Sequence, residues 1–214
     1  MGCLPLILLG VGVAIASYIA WISLQSLLQA RALFRLARAS STEPDDYGRQ
    51  ALYGRVRVER VVQKGFGDLL WCRTEEQVYR KRGKNSGWKT EHTEDEMAAF
   101  TLEGGGQEIS LAELPSEVQG TRSRTQLHDP GGFFGHSNGD RRTVYTYLAV
   151  PRYVSVAGRR VDAGRLGRDN KLGLFLSPHE PGHAATIELW KGIGGLLVVT
   201  AALAFGLFVY AQKR

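Results

Sequence analysis

His179-Glu180-Pro181-Gly182-His183 spells H-E-x-x-H. In that pattern a helix carries two histidines, four residues apart, to one face, so that both bind zinc while the glutamate serves as general base. The chemistry depends on the helix. Here Pro181 and Gly182 fill the two middle positions and Pro178 precedes the segment. A proline inside a helix removes a hydrogen bond and costs about 3 kcal/mol. The segment therefore reads as a polar turn. A zinc hydrolase using His179, Glu180 and His183 is the sharper alternative, and it requires stoichiometric zinc.

A second group surrounds Pro130-Gly131-Gly132-Phe133-Phe134-Gly135: His128 and Asp129 lie before it and His136 after it. Three possible ligands face one another across this loop, but their spacing matches no metal site. Phe133 and Phe134 either plug a core or, if exposed, meet a partner or dip into a membrane. His92, close to Glu94-Asp95-Glu96, reads as a solvated turn. Cys72 beside Trp71 reads as a small buried hydrophobe. Serine and threonine are plentiful, but no Gly-x-Ser-x-Gly elbow is present. Gly104-Gly105-Gly106 lacks the Lys-Ser/Thr ending of a phosphate loop. No catalytic, cofactor or metal site is expected.

The elements that would position these residues are set by two uncharged stretches. Residues 1–29 contain no Asp, Glu, Lys or Arg, and neither do residues 192–212. About 20 such residues cross the ~30 Å hydrocarbon layer as a helix. The first stretch lacks the basic start of a signal peptide and its apolar run is too long for one, although Ala30-Arg31-Ala32 is a passable cleavage pattern. Trp21, Trp190 and Tyr210 sit near span ends, as interfacial aromatics do. Gly12, Ala16 and Ala20 recur every four residues and offer a flat ridge for helix association, including self-association. Ala202 and Gly206 offer a similar spot in the second stretch.

Arg31, Arg35 and Arg38 follow the first span on one helical face, where they can lie against lipid head groups, and Lys191 precedes the second. Lys213 and Arg214 follow the second. Four cations against two place the intervening domain in the cytoplasm, since positive flanks favour that side. Net charge is +6. The cations are scattered and have anionic lipid as their simplest partner, so nucleic acid is not expected. Two cysteines, Cys3 and Cys72, supply neither a disulfide framework nor a zinc module.

Between the spans the period changes to two. Leu52, Val56 and Val58 alternate with charges and predict a strand. Leu69–Arg80 and Trp88–His92 predict strands joined by a turn at Arg82-Gly83-Lys84-Asn85-Ser86-Gly87. Phe100 and Leu102 lead into the glycine triplet, and Ile109 and Leu111 lead out, a second hairpin. Residues 112–142 read as a long loop with at most a short helix. Val144–Val150, Tyr153–Ala157 and Leu172–Leu176 complete about seven or eight short strands. The expected fold is an all-β soluble domain, a small barrel or sandwich, flanked by two transmembrane α-helices.

The order of these pieces resembles the GIDE family, whose "beside a membrane" (BAM) domain lies next to its membrane helices. The resembling residues are Leu70-Trp71-Cys72-Arg73 with the charged strand to Arg80, then Ser86-Gly87-Trp88, Phe100-Thr101-Leu102-Glu103 with its glycine turn, and Val144–Val150 with Val154-Ser155-Val156-Ala157-Gly158. The eukaryotic members are mitochondrial membrane-anchored E3 ubiquitin ligases, and bacteria have shorter relatives. The ligases carry a zinc-binding RING after the second span; this sequence has no cysteine there and stops at Arg214. The resemblance therefore implies the anchored β-domain without ligase activity. It also implies an opposite sidedness, because the eukaryotic domain faces the intermembrane space, for which the bacterial equivalent is the periplasm.

The expected plan is a first transmembrane helix over 1–29, a basic juxtamembrane helix and linker over 30–46, a β-rich GIDE/BAM-like domain over 47–188, a second transmembrane helix over 189–212 and a tail at 213–214. The expected protein is a two-pass protein of a bacterial inner membrane, non-enzymatic and without cofactor. Its partners are the lipid bilayer and an unidentified protein or lipid at its surface. An accessory subunit of a ubiquitin-ligase-like or other membrane complex is the alternative.

Overall fold

The computed structural model describes residues 4–38, 44–45, 48–82, 85–128, 136–170 and 172–212. Two compact units result: the terminal helices, and the chain from 41 to 180.

In the second unit, β1 (Arg49–Arg60) changes partner half-way along. Arg49–Arg55 pair antiparallel with β10 (Tyr153–Asp162), and Arg55–Arg60 pair with β5 (Ala99–Gly104). The change needs glycine on both strands. A Cβ on Gly54 would lie 2.3 Å from the Glu103 carbonyl oxygen, and one on Gly104 would lie 2.5 Å from that of Tyr53. β5 turns into β6 (Gln107–Leu111) through Gly105 and Gly106, with φ of +59° and +75°. Two successive positive φ angles match the twist of a hairpin and suit glycine.

β6 runs parallel to β11 (Arg165–Gly167), which pairs with β10. The path β1–β5–β6–β11–β10 thus returns to β1, a closed ring of five strands. β12 (Phe175–Ser177) and β7 (Glu117–Val118) extend the sheet beyond β10. The expected barrel is present.

The second sheet is built on β3 (Gly67–Arg82). Its neighbours are β4 (Asn85–Met97), β9 (Arg141–Ala149) and the short β2 (Val62–Lys64), and β8 (Arg122–Leu127) lies beyond β9. Leu70, Trp71 and Leu148 of this sheet share one core with Leu52, Phe100, Leu102, Ile109, Val154, Val156, Leu166 and Leu176 of the first, and with Leu174 just before β12. Fully burying each such side chain contributes about 1.5–3 kcal/mol. A smaller cluster of Val62, Leu69 and Cys72 under Phe66, Tyr145 and Tyr147 covers the other face. Cys72 is fully buried, as its sequence context predicts.

Two expectations need correction. The described residues form twelve strands, against the seven or eight read from periodicity. Residues 112–142 hold β7, β8 and the start of β9, where a loop or short helix is expected. β8 escapes pattern reading because all six of its residues are exposed. It buries no side chain and is held through its backbone ladder to β9.

In the first unit, α1 (Leu4–Arg38) and α2 (Pro181–Gln212) run antiparallel. Their close contact lies where Gly192 meets Leu27 and Gly195 meets Ser23. Cβ atoms on these glycines would lie 2.6 Å and 2.0 Å from those side chains. Ser23 turns its hydroxyl back to the Ile19 carbonyl at 2.8 Å, so its polarity is satisfied within the helix. α1 continues unbroken through Arg38. α2 starts at Pro181, eight residues before the expected span, because proline suits the first helical position, where its missing N–H is not needed.

Candidate functional site

The residues that sequence spacing singles out are not drawn together. His179 and Glu180 precede α2 and His183 lies in its first turn, so the two histidines do not occupy successive turns of one helix. The His179 backbone is instead part of the domain's polar interior. Its carbonyl accepts the Ser155 hydroxyl, and its N–H donates to Ser177 Oγ at 3.2 Å. Ser177 in turn donates to Gln119 at 3.1 Å, and all three of these side chains are buried. Among the described residues, no group of three or more His, Cys, Asp or Glu side chains is placed to hold a metal.

His128 and His136 sit on opposite faces of the second sheet. His128 Nε2 lies 2.6 Å from Thr143 Oγ1, with the pair opening on a polar pocket of about 260 Å³ shared with Glu76, Glu91 and Arg141. His136 stacks on Tyr79 and Trp88 on the other face. Asp129, Phe133 and Phe134 lie outside the described residues. His92 is exposed on β4 opposite Glu76.

The helical pair presents apolar side chains outward. Val13, Tyr18, Trp21, Trp190, Leu197 and Val198 are each more than half exposed. Gly12–Ala37 and Pro181–Ala204 are long and apolar enough to cross a membrane, and only 11% of either stretch's most apolar window is buried. A helix at the heart of a water-soluble fold would be mostly buried. Arg31 and Arg35 are exposed on α1, and Arg38 is its last residue. Of the predicted ridge, Ala16 and Ala20 are half-buried and continue toward Ser23 on the face that meets α2, while Gly12 is open.

The most elaborate polar surface lies at the far end of the β3–β4 hairpin. Twelve paired positions, Trp71 to Arg82, carry it about 40 Å at the usual rise of a strand. Beyond Thr74, Val78 is the only buried side chain among the described ones on β3. The backbone ladder carries it, with the Arg80–Glu91 pair at 2.6 Å; nearer its base Arg73 grips Asp95 through two bonds of 2.8 Å and Lys64 from β2 meets Glu96. Asp95 raises the Arg73 pKa, and the Glu96 hydrogen bond raises that of Lys64. Burial raises the Cys72 thiol, which keeps it protonated and unreactive.

At the hairpin's end, Tyr79 and Trp88 meet edge-on with ring centres 5.4 Å apart, and the Arg142 guanidinium lies 4.3 Å above the indole. Arg142 is aimed by Gln77, whose Oε1 accepts its Nε–H at 2.8 Å. The turn at 136–140 is latched to β3: Gly139 N–H donates to the Tyr79 carbonyl, Tyr79 N–H to that of Asp140, and Lys81 N–H to Asn138 Oδ1. Arg80, Lys81, Ser86, Trp88, Lys89 and Asn138 line an open groove of about 600 Å³. Sequence reading missed this surface, taking residues 82–87 as a plain turn. The signal was the run Arg80-Lys81-Arg82-Gly83-Lys84 with Trp88 following at strand spacing.

No protein-family model, curated protein or solved structure matches this chain.

Proposed function

We propose that the protein is a two-pass membrane protein that displays its β-domain at the bilayer surface as a non-catalytic binding module for a protein or lipid partner. The observation that carries this reading is the outward apolar surface of α1 and α2. Lipid is the solvent in which such a surface is stable. The element order, a β-rich domain between two apolar helices, agrees with the proposed likeness to GIDE/BAM-type proteins without a RING. Four flanking cations, Arg31, Arg35, Arg38 and Lys191, against Lys213 and Arg214 favour a cytoplasmic domain.

Crosslinking in intact membranes, gentle solubilisation of the full-length protein and mass spectrometry of what co-purifies tests this, with metal analysis of the same sample. A reproducible partner without zinc is expected. One zinc per chain, lost in His183→Ala, contradicts it.

A further inference from the structure

We propose that the β-domain pairs edge to edge with a second copy of this chain: β8 of one copy adds to β4 of the next and continues the second sheet. The proposal rests on the binding-module reading above and names its partner.

The second sheet ends in two open edges. Across β4, β3, β9 and β8 every neighbour is antiparallel, so β4 and β8 run in opposite directions. A copy placed to extend the sheet therefore meets the first through an antiparallel pair. In such ladders the backbone groups turn toward a given neighbour at alternate residues. His128 N–H donates to the Arg141 carbonyl at 3.0 Å, so Gln126, Arg124 and Arg122 turn their backbone toward β9. The N–H and C=O groups of Ser123 and Thr125 then face away. Ala98 N–H donates to the Leu70 carbonyl at 2.8 Å, so Glu96, Glu94 and His92 turn toward β3, while Asp95 and Thr93 face away. Among the described residues, no strand pairs with either outer edge.

Joining Ser123 to Asp95 and Thr125 to Thr93 matches the outward groups. That register sets Arg124 opposite Glu94 and Arg122 opposite Glu96 on one face. Pairs in these positions have the closest side chains, with Cα atoms about 4.5 Å apart. Arg122, Arg124 and Glu94 are exposed, and among the described residues no ion pair engages them. Glu96 also holds Lys64, so the contact rests chiefly on Arg124 and Glu94. The edges are complementary over their length: β8 has two cations and no acid, and residues 91–96 have four acids and no Lys or Arg. Edge strands are commonly blunted by proline or a bulge. β8 has neither, and the bulge of β4 falls at Glu91, beyond the matched stretch. At the other end an open cleft of about 840 Å³, lined by Glu59, Arg60, Gln63, Glu96 and Met97, leaves room for the chain ahead of Arg122. An acidic peptide from another protein would satisfy the basic edge alone. A second copy satisfies both, with strand direction already set. Each contact leaves one edge of either kind open, so association extends beyond a dimer.

The test uses the full-length protein in non-ionic detergent, with Cys3→Ser. Thr125→Cys and Thr93→Cys variants are mixed under oxidising conditions. The register opposes these residues with Cα atoms about 5.5 Å apart, within reach of a disulfide, so a linked dimer is expected. Thr125→Cys mixed with Lys89→Cys, about 13 Å further along β4, should link far less. Arg124→Glu in both copies should lower the linked fraction about tenfold, since like charges then face each other, and Glu94→Arg should do the same. Placing both reversals in every copy should restore linkage. Within one copy these two residues are three strand spacings apart, about 14 Å, so the restoration reports pairing between copies. Circular dichroism checks that each variant folds. Absence of the linked dimer overturns the proposal, as does equal linkage of the two mixtures or failure of the double reversal to restore it. If Thr125→Cys links instead to another protein in intact membranes, self-pairing falls and the binding module stands. If the β-domain crosslinks to neither itself nor any other membrane component, both fall.

Discussion

The helical pair and the β-domain are built in opposite senses. Among the described residues, twelve of the sixteen exposed large apolar side chains belong to α1 and α2, and four belong to the β-domain. The β-domain buries Leu52, Leu102, Leu166, Leu174 and Leu176 completely and turns its charges outward. At their close contact the helices bring small and polar groups together, Ser23, Gly192 and Gly195; α1 also buries Leu33 and Leu36 near its end, and both helices turn other leucine, valine and tryptophan side chains outward. Without a hydrophobic driving force between helices in lipid, close backbone approach through small residues is what holds two of them together. One chain thus carries two solutions to burial, each suited to a different solvent.

The comparison can be broken first in the β-domain core. Leu52→Ala should destabilise that domain by about 2–5 kcal/mol, the usual cost of a buried leucine truncation, read by chemical unfolding. Leu197→Ala, on the outer face of α2, should leave the same transition where it is. Next, a charge can be placed on equally exposed surfaces of the two units. Leu197 is 64% exposed and Val161 is 60% exposed. Leu197→Arg should cost about 2.5–3.5 kcal/mol of membrane insertion, measured as the inserted fraction. Val161→Arg should shift stability within about 0.5 kcal/mol. Equal effects at the two sites would mean that both surfaces face the same solvent.

The helix contact comes third. Gly195→Val drives a side chain into Ser23 and should weaken the pairing by about 1–3 kcal/mol, as overpacking does elsewhere, read as loss of a crosslink between cysteines placed on α1 and α2. The smallest effect concerns the ion pairs of the second sheet. Lys64 is raised above its ordinary value of 10.5 by its hydrogen bond to Glu96. Its contribution is therefore complete below 10.5 and is lost as pH climbs through the higher folded value. The size is about 1 kcal/mol or less for a pair this near solvent. Glu96→Gln should flatten that alkaline decline in unfolding midpoint, and a decline that persists would place its origin elsewhere.

What the sequence disclosed followed from how strongly one solvent acted on each segment. The uncharged stretches and the Phe100–Leu111 hairpin were legible because long apolar runs and glycine at positive φ leave few other structures. Leu52 and Val156 were legible through alternation. β8 was not, because a strand exposed on both faces carries no alternation to read. The hairpin's length was underestimated for the same reason: beyond Thr74 the backbone ladder, with the Tyr79–Trp88 contact and one ion pair, holds β3 to β4 where little is buried. The H-E-x-x-H spelling misleads where composition is ignored, and Pro181 corrects it by starting a helix where the motif needs one to be already under way. The cluster of Tyr79, Trp88, His136 and Arg142 unites residues up to 63 positions apart, a meeting that depends on the pairing of β3 with β9.

The account stands on both helices crossing a bilayer with the β-domain on one side and the residues after α2 on the other. Single cysteines at Ser123→Cys on β8 and Lys213→Cys after α2, in a background where Cys3 is serine and Cys72 is buried, test this with a membrane-impermeant maleimide applied to sealed vesicles of each orientation. The account predicts that the two positions label from opposite sides, with Ser123→Cys reached from the cytoplasmic side. Labelling of both from the same side, in a protein that alkaline carbonate releases, would contradict it.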